Sequence, residues 1–572
     1  MGQVSLEQTC LKQTNTAISE LARSPLFKSD PRTLSSVERN KLCYRRAKAF
    51  CNAYGLNISD IVYMTPKFCK MNLQPLAGLD IGTLNLLSIQ TNLFIGTLGP
   101  FAVNRPELNS ILQAAMNFEI SAQYMLTELN HGLDTRNLQT TATILPDGDI
   151  DLHTPSPGDA KAMPPTTTRS GLPVVAIVMA RLVYKDKDCG IKPFLVELGD
   201  GEQMCENITA RALPTRTGAH PVDHALTYFN HVRLPQSSLL GSIEKATDER
   251  ESFLSTIHRI SVGTLLVSGS IVPCLKIVAF VMNRYSRNRS VTGADGRPMA
   301  VIGFRTQSLP ILHAVAQYSV LEAFLASATA SYLDNNMDPR VRHGIATAFK
   351  AVAVNHFDKT TKAMSERCGW HGHYAHNQIL QLELEMRGAA TAEGDIRVLV
   401  IRLASELLIG RYQLPPPRRP TSSIARHEAS LFAEAKALFQ RSSNGNHRSE
   451  NFNRDILPLA LPLVEAIGHR MAYEAAQEAN VDPKVIQLYE TGVIKLDSAW
   501  YAEKGGISRE NQREVESQAA DALLPHLEDI MEESGMQDYC NAPMSSRNLM
   551  DQFIDGLELF EGNAKPSLLA RL

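Results

Sequence analysis

The chain has 572 residues, too many for a single hydrophobic core, and its length predicts roughly three or four domains of ~100–200 residues each. Hydrophobic content of 44% and charged content of 20% exclude a disordered chain, and a net charge of −3 provides no general pull toward nucleic acid or an anionic membrane. Nine scattered cysteines without a Cys-x-x-Cys pair point to free thiols in a reducing compartment.

The first residues, Met1 to Glu7, lack the basic-then-apolar layout of a secretory signal, and Gly2 with Ser5 matches a myristoylation site only loosely. Helical periodicity runs to about Ile120, as in Val37 to Cys43 and Leu108 to Met116. From Ser121 the texture changes. Val174 to Ala180, Phe194 to Leu198 and Ala225 to Phe229 read as strands of a small sheet or barrel, separated by turn clusters at Pro146-Asp147-Gly148, Ser156-Pro157-Gly158 and Gly199-Asp200-Gly201.

After Pro235 long helical patterns resume. Ser261 to Met282 is apolar over nearly the length of a membrane span, but Pro273, Lys276 and recurrent small residues favour a buried helix, so no span is expected. The prolines of Leu414 to Ser423 cannot continue a helix and favour an extended linker. Ala429 to Phe439 and Gln512 to Met531 are helical again. This layout predicts an α+β protein: an N-terminal α-helical domain over 1–120, a central β domain over 121–245, a helical bundle over 246–412, a Pro-rich linker over 413–426, and a second helical domain over 427–572. Ala570-Arg571-Leu572 fits the small, basic, leucine tripeptide read by the peroxisomal import receptor.

Two short segments carry the chemistry. Cys368-Gly369-Trp370-His371-Gly372 is followed by Thr391-Ala392-Glu393-Gly394-Asp395. Glycines allow close approach of backbone to a large planar ligand, and a lone carboxylate between small residues is a candidate base. His371, His373 and His376 are too weak a pattern to predict a metal, and none is expected.

The pair of segments resembles the acyl-CoA oxidases of the acyl-CoA dehydrogenase superfamily, where Cys-Gly-Gly-His-Gly and Thr-Tyr-Glu-Gly-Asp-Asn lie the same distance apart. Thr127 to Gly132 with Leu138 to Thr143, Asp223 to Pro235, and Arg284 to Arg289 resemble further family segments. The resemblance implies an acyl-CoA oxidase-like fold with a second C-terminal helical domain, an FAD cofactor, a homodimer, and peroxisomal residence. It implies Glu393 as the catalytic base, and Thr127, Pro165, Arg289, Gln307, Gly372 and Gly394 as FAD-binding positions, with the Arg289 region reaching the FAD of the neighbouring subunit. The implied activity is insertion of an α,β double bond into an acyl-CoA thioester, with O2 as acceptor giving H2O2.

Several positions depart from the family. Its Lys-Trp-Trp-Pro-Gly is here Lys161-Ala162-Met163-Pro164-Pro165; Trp370 replaces a glycine, Ala392 a tyrosine, Ile396 an asparagine and Val291 a glutamine. Such volume changes at Ala162, Met163, Trp370 and Ala392 predict a reshaped cavity and a non-standard acyl group, for example branched, aromatic or polyketide-derived. Two alternatives stay open: a flavoprotein of the same fold acting on a non-CoA substrate, and a non-catalytic relative that has lost flavin, for which Pro165 and Val291 argue.

Overall fold

The computed structural model describes residues 14–29, 34–132, 134–216 and 222–564. The tripeptide Ala570-Arg571-Leu572 lies outside the described residues.

Helices form the first layer. α1 (Ser36–Tyr54) begins with a capping box in which Ser35 and Glu38 satisfy each other's backbone N–H groups, and ends at Gly55 in the left-handed region. α2 (Ile81–Leu87) runs into a π-helical segment, Ser88–Ile95, and then α3 (Gly96–Ala102). Pro100, which has no N–H to return to the preceding turn, follows that segment closely.

Strands start at Ser121. β1 (Ser121–Met125), β2 (Thr141–Ile144), β3 (Ile150–His153), β4 (Lys161–Ala162), β5 (Val174–Tyr184), β6 (Lys187–Gly199), β7 (Ile208–Ala212), β8 (Ala225–Phe229) and β9 (Val232–Leu234) form two sheets. In the larger one β5 pairs in parallel with β1 and then β2, and antiparallel with β6, while β3 and β9 continue beyond β2. The smaller sheet runs β4-β8-β7. Sequence patterning marks only the first part of β5, Val174 to Ala180, and the last part of β6, Phe194 to Leu198. They are longer because Lys185 and Asp186, both at positive φ, close them into a two-residue hairpin without glycine or asparagine to announce it.

The longer helices that follow are α4 (His258–Gly269), α5 (Ile271–Asn288), α6 (Arg305–Leu333), α7 (Pro339–Ser365), α8 (Ile379–Thr391), α9 (Ile396–Leu408), α10 (Ser423–Ser443), α11 (Ala460–Glu478), α12 (Pro483–Leu496) and α13 (Arg509–Leu523). The most apolar stretch within His258–Asn288 is 94% buried inside the protein, which accounts for its hydropathy without a membrane. The helical reading of Gln512 to Met531 needs one correction: Pro525 interrupts it, and a separate helix follows at Leu527–Glu533.

The proline-rich segment is extended and fixed in place. Arg470 donates to the Pro415 carbonyl at 3.0 Å, and the backbone N–H groups of Arg418 and Arg419 donate to Glu474 at 2.8 and 3.1 Å. One continuous hydrophobic cluster contains Ile18 and Phe27 near one end of the described chain and Met536 and Met544 near the other. Polar contacts repeat the link: Ser19 pairs with Asp538 and Lys28 with Asn541, and Asn541 N–H donates to Gln378 at 2.8 Å.

Candidate active site

A cavity of about 1040 Å³ opens between the first helical layer, the β domain and helices α4, α7, α8 and α9. Glu393 sits on its wall, in the turn between α8 and α9, with φ at +52°. Gly394 follows at φ +98°, where a side chain would be strained, and Asp395 caps α9 by accepting from Arg397 N–H.

Four side chains distant in sequence hold Glu393. Ser88 donates to Oε1 at 3.0 Å and Asn92 to Oε2 at 3.2 Å. Thr264 donates to the Glu393 carbonyl at 2.7 Å. The buried Lys350 ammonium donates to the carbonyls on either side, Ala392 at 2.8 Å and Gly394 at 2.6 Å. The carboxylate also presses on Gly263 of α4, where an added Cβ would lie 1.1 Å from Oε2. Only glycine leaves that space.

Burial pushes the Glu393 pKa up to about 8, against the opposing pull of the Ser88 hydrogen bond, the Lys350 charge and the Asn92 hydrogen bond. Burial brings Lys350 down to about 8, resisted by Glu393 and Asp395. Glu393 keeps some exposed surface, and this faces the cavity rather than a protein neighbour. Sequence reasoning finds Glu393 but misses Ser88, Asn92, Gly263, Thr264 and Lys350. No local pattern links them to a residue up to 305 positions away.

Thr127 and Gly394 line the same cavity, as do Ala162, Met163 and Ala392. Pro165 is buried behind this wall, and its neighbour Pro164 faces the cavity. A single carboxylate organises this end. Glu128, fully buried, accepts from Gln139 N–H, Thr140 N–H, the Thr140 hydroxyl and Lys161 at 2.6–3.1 Å, tying three separate sequence segments together. His131 and Asp159 come within 4.8 Å of it, but Lys161 already balances its charge. The Tyr124 hydroxyl, also on the cavity side, is buried without a hydrogen-bond partner. Arg216, Arg340, Arg342 and Arg402 line the more open parts.

Arg289, Gln307 and Gly372 are brought together elsewhere and do not line this cavity. Gln307 donates to the Ser286 hydroxyl at 2.9 Å, and Arg289 lies near enough to His371 to join burial in lowering its pKa. Gly372 has a local reason to be glycine: a Cβ there would lie 2.0 Å from the Ser365 carbonyl oxygen. Trp370 is 59% exposed and stacks on His371 at 3.9 Å. The expectation that Trp370 reshapes the cavity therefore fails, whereas Ala162, Met163 and Ala392 do face it.

Residues 262–408 match the family model of the acyl-CoA oxidase C-alpha1 domain. The chain is 28% identical over 399 residues to peroxisomal acyl-coenzyme A oxidase 1 of Arabidopsis thaliana, covering 64% of this chain and 57% of that protein. It is 24% identical over 432 residues to peroxisomal acyl-coenzyme A oxidase 3 of Homo sapiens, covering 70% of this chain and 60% of that one. The matched segment thus spans under two thirds of the length of these curated relatives. Acyl-CoA oxidase 3 of Yarrowia lipolytica shares the fold with a TM-score of 0.81 at 16% identity, over 95% of this chain and 88% of that one. Acyl-CoA oxidase-1 of Caenorhabditis elegans, solved with FAD and ATP, gives 0.79 at 17%, over 98% and 93%. The matched domain, the curated relatives and the shared fold are thus all similar to acyl-CoA oxidases.

Proposed function

We propose that the protein is an FAD-dependent oxidase that introduces an α,β double bond into an acyl-CoA thioester, with O2 as acceptor giving H2O2. The observation that carries the reading is Glu393, a carboxylate on a cavity wall whose pKa is pushed up to about 8 by burial. Such a group is matched to a weakly acidic carbon-bound proton at neutral pH. Arg340 and Arg402 already pair with Asp338 and Glu406, which leaves Arg216 and Arg342 on the cavity wall to suit the phosphates of a CoA moiety.

The residues fit FAD. The cavity of about 1040 Å³ has room for a large ligand, and Thr127 stands on its β-domain wall. Thr127 would hold the flavin from this subunit, with Gly394 allowing the turn close to it. Arg289, Gln307 and the backbone at Gly372, outside the cavity, would meet the FAD of a second copy, which supports a homodimer. Pro165, set behind the cavity wall, would back this site without reaching it. When bound, FAD supplies the electron sink. Glu393 removes the α proton, Lys350 and Thr264 keep its turn in place, and the apolar part of the cavity excludes water from the carbanion-like transition state.

Ala162, Met163 and Ala392 leave room that the family fills with aromatic rings, which supports a bulky acyl group, whether branched, aromatic or polyketide-derived. The relatives' peroxisomal names support the same compartment here. A fluorescent fusion should give puncta that disperse when residues 570–572 are removed; identical distributions would count against import through that tripeptide.

The test of activity is to load the purified full-length protein with FAD, mix it anaerobically with CoA thioesters and with the free acids, and follow flavin bleaching and then H2O2 on aeration. Thioesters alone should bleach it. A protein that takes up no added FAD would end the oxidase reading.

A further inference from the structure

We propose that Ser88 and Asn92 are positioning residues, which reach from the first helical layer to aim the Glu393 carboxylate and set how readily it takes a proton. The catalytic meaning of this role rests on the reading of Glu393 as the base; the hold itself does not.

The geometry separates two jobs. Within the Glu393 turn, Lys350 and Thr264 grip backbone carbonyls and not the carboxylate, whereas Ser88 and Asn92 reach the carboxylate and not the backbone. Removing either donor should therefore leave the turn where it is and change the acid alone. Both donors are buried, and both belong to the π-helical segment Ser88–Ile95, whose wider turn places residues four apart on one face. Such segments are frequent at functional positions.

Asn92 is oriented by a second contact. Its amide nitrogen also donates to the Arg259 carbonyl at 3.0 Å, which aims the other N–H at Glu393. Opposite these donors, the absence of a side chain at Gly263 lets the carboxylate settle against α4. Oε1 and Oε2 each have one donor, and hydrogen bonds to a carboxylate favour its charged form.

Other charged and titratable groups face the same space: Lys350 from α7, Tyr124 from β1, His258 from α4, Glu385 from α8, and Asp395 with Arg402 at and within α9. Of these, only Lys350 and Tyr124 couple directly to Glu393, and neither donates a hydrogen bond to its carboxylate. Ser88 and Asn92 are thus the direct hydrogen-bonding control on the acid.

The experiment is an infrared pH titration of the full-length protein, with the Glu393 carboxyl band identified by its loss in Glu393→Gln. Ser88→Ala and Asn92→Ala should each raise the midpoint by about one pH unit. Ser88→Thr, which keeps the donor, should return it to the wild-type value, and circular dichroism should show all variants folded. The rising limb of the pH profile for flavin bleaching by a thioester should move by the same amount, with little change in thioester affinity. Unchanged midpoints in folded Ser88→Ala and Asn92→Ala would overturn the proposal, as would a shift in Ser88→Ala that Ser88→Thr fails to reverse. A midpoint that shifts while no thioester is oxidised would uphold the hold on Glu393 and remove the oxidase reading instead.

Discussion

The two glycine-bracketed turns of this protein look alike in sequence and differ in surroundings. Around Glu393 the chain is gripped from three elements, the carboxylate faces a cavity, and the glycines serve backbone angles and close approach. Around Trp370 the turn lies on the surface, with an exposed indole on His371 and a Tyr374 ring edge-on at 5.5 Å. One turn is complete within the chain. The other presents its rings at the surface, and Val291, Met299 and Phe304 are also exposed.

The largest effect should come from Glu393→Gln, which keeps size but removes the proton acceptor. Flavin reduction by a thioester should fall by ~10²–10⁴-fold with FAD retained; a wild-type bleaching rate would move the base elsewhere. Next is Gly372→Ala. The Cβ would meet the Ser365 carbonyl, so melting should show a loss on the order of 2–3 kcal/mol. Gly369→Ala is the companion test: a Cβ there meets nothing within 4 Å, but φ +56° with ψ −139° is backbone that only glycine adopts readily, so strain without any clash should cost about 1–3 kcal/mol. A Gly372→Ala variant that melts like wild type would mean that the turn is not packed as described.

A further effect separates the turns by pH. A carboxyl whose folded pKa is raised from 4.5 to about 8 costs the folded state increasingly as pH climbs through that window, because the unfolded chain gives up its proton first. Glu393→Gln should therefore gain in melting temperature over wild type at pH 9 but not at pH 4, and a pH-independent difference would deny the raised pKa. The smallest effect is expected for Trp370→Ala: no change in melting at high protein concentration, but weaker FAD retention on dilution if this face meets a second copy.

Much of the fold is legible because its signals are local. The β-branched run at Val174 to Ala180, the prolines of 415–417 and the glycine turns each act within a few residues. The hairpin at Lys185-Asp186 is not legible, since neither residue type favours positive φ strongly enough to announce it. Within the site, Glu393 is recognisable by its neighbours. Ser88, Asn92, Thr264 and Lys350 are not, since a serine or lysine within a helix has the same local appearance wherever its side chain ends up. Glu128 shows the same limit: three motifs share one buried carboxylate that none of them reveals alone.

The hydrophobic cluster that joins Ile18 and Phe27 to Met536 and Met544 has a consequence for biosynthesis. The helices around Ile18 and Phe27 cannot complete their apolar packing until residues more than five hundred positions later have been translated. At ~5–20 residues per second that is a wait of roughly half a minute to two minutes, with apolar surface open to aggregation. Chaperone demand should thus be greatest for nascent chains stalled short of Met536, and such chains should fail as whole molecules rather than persist as working N-terminal fragments.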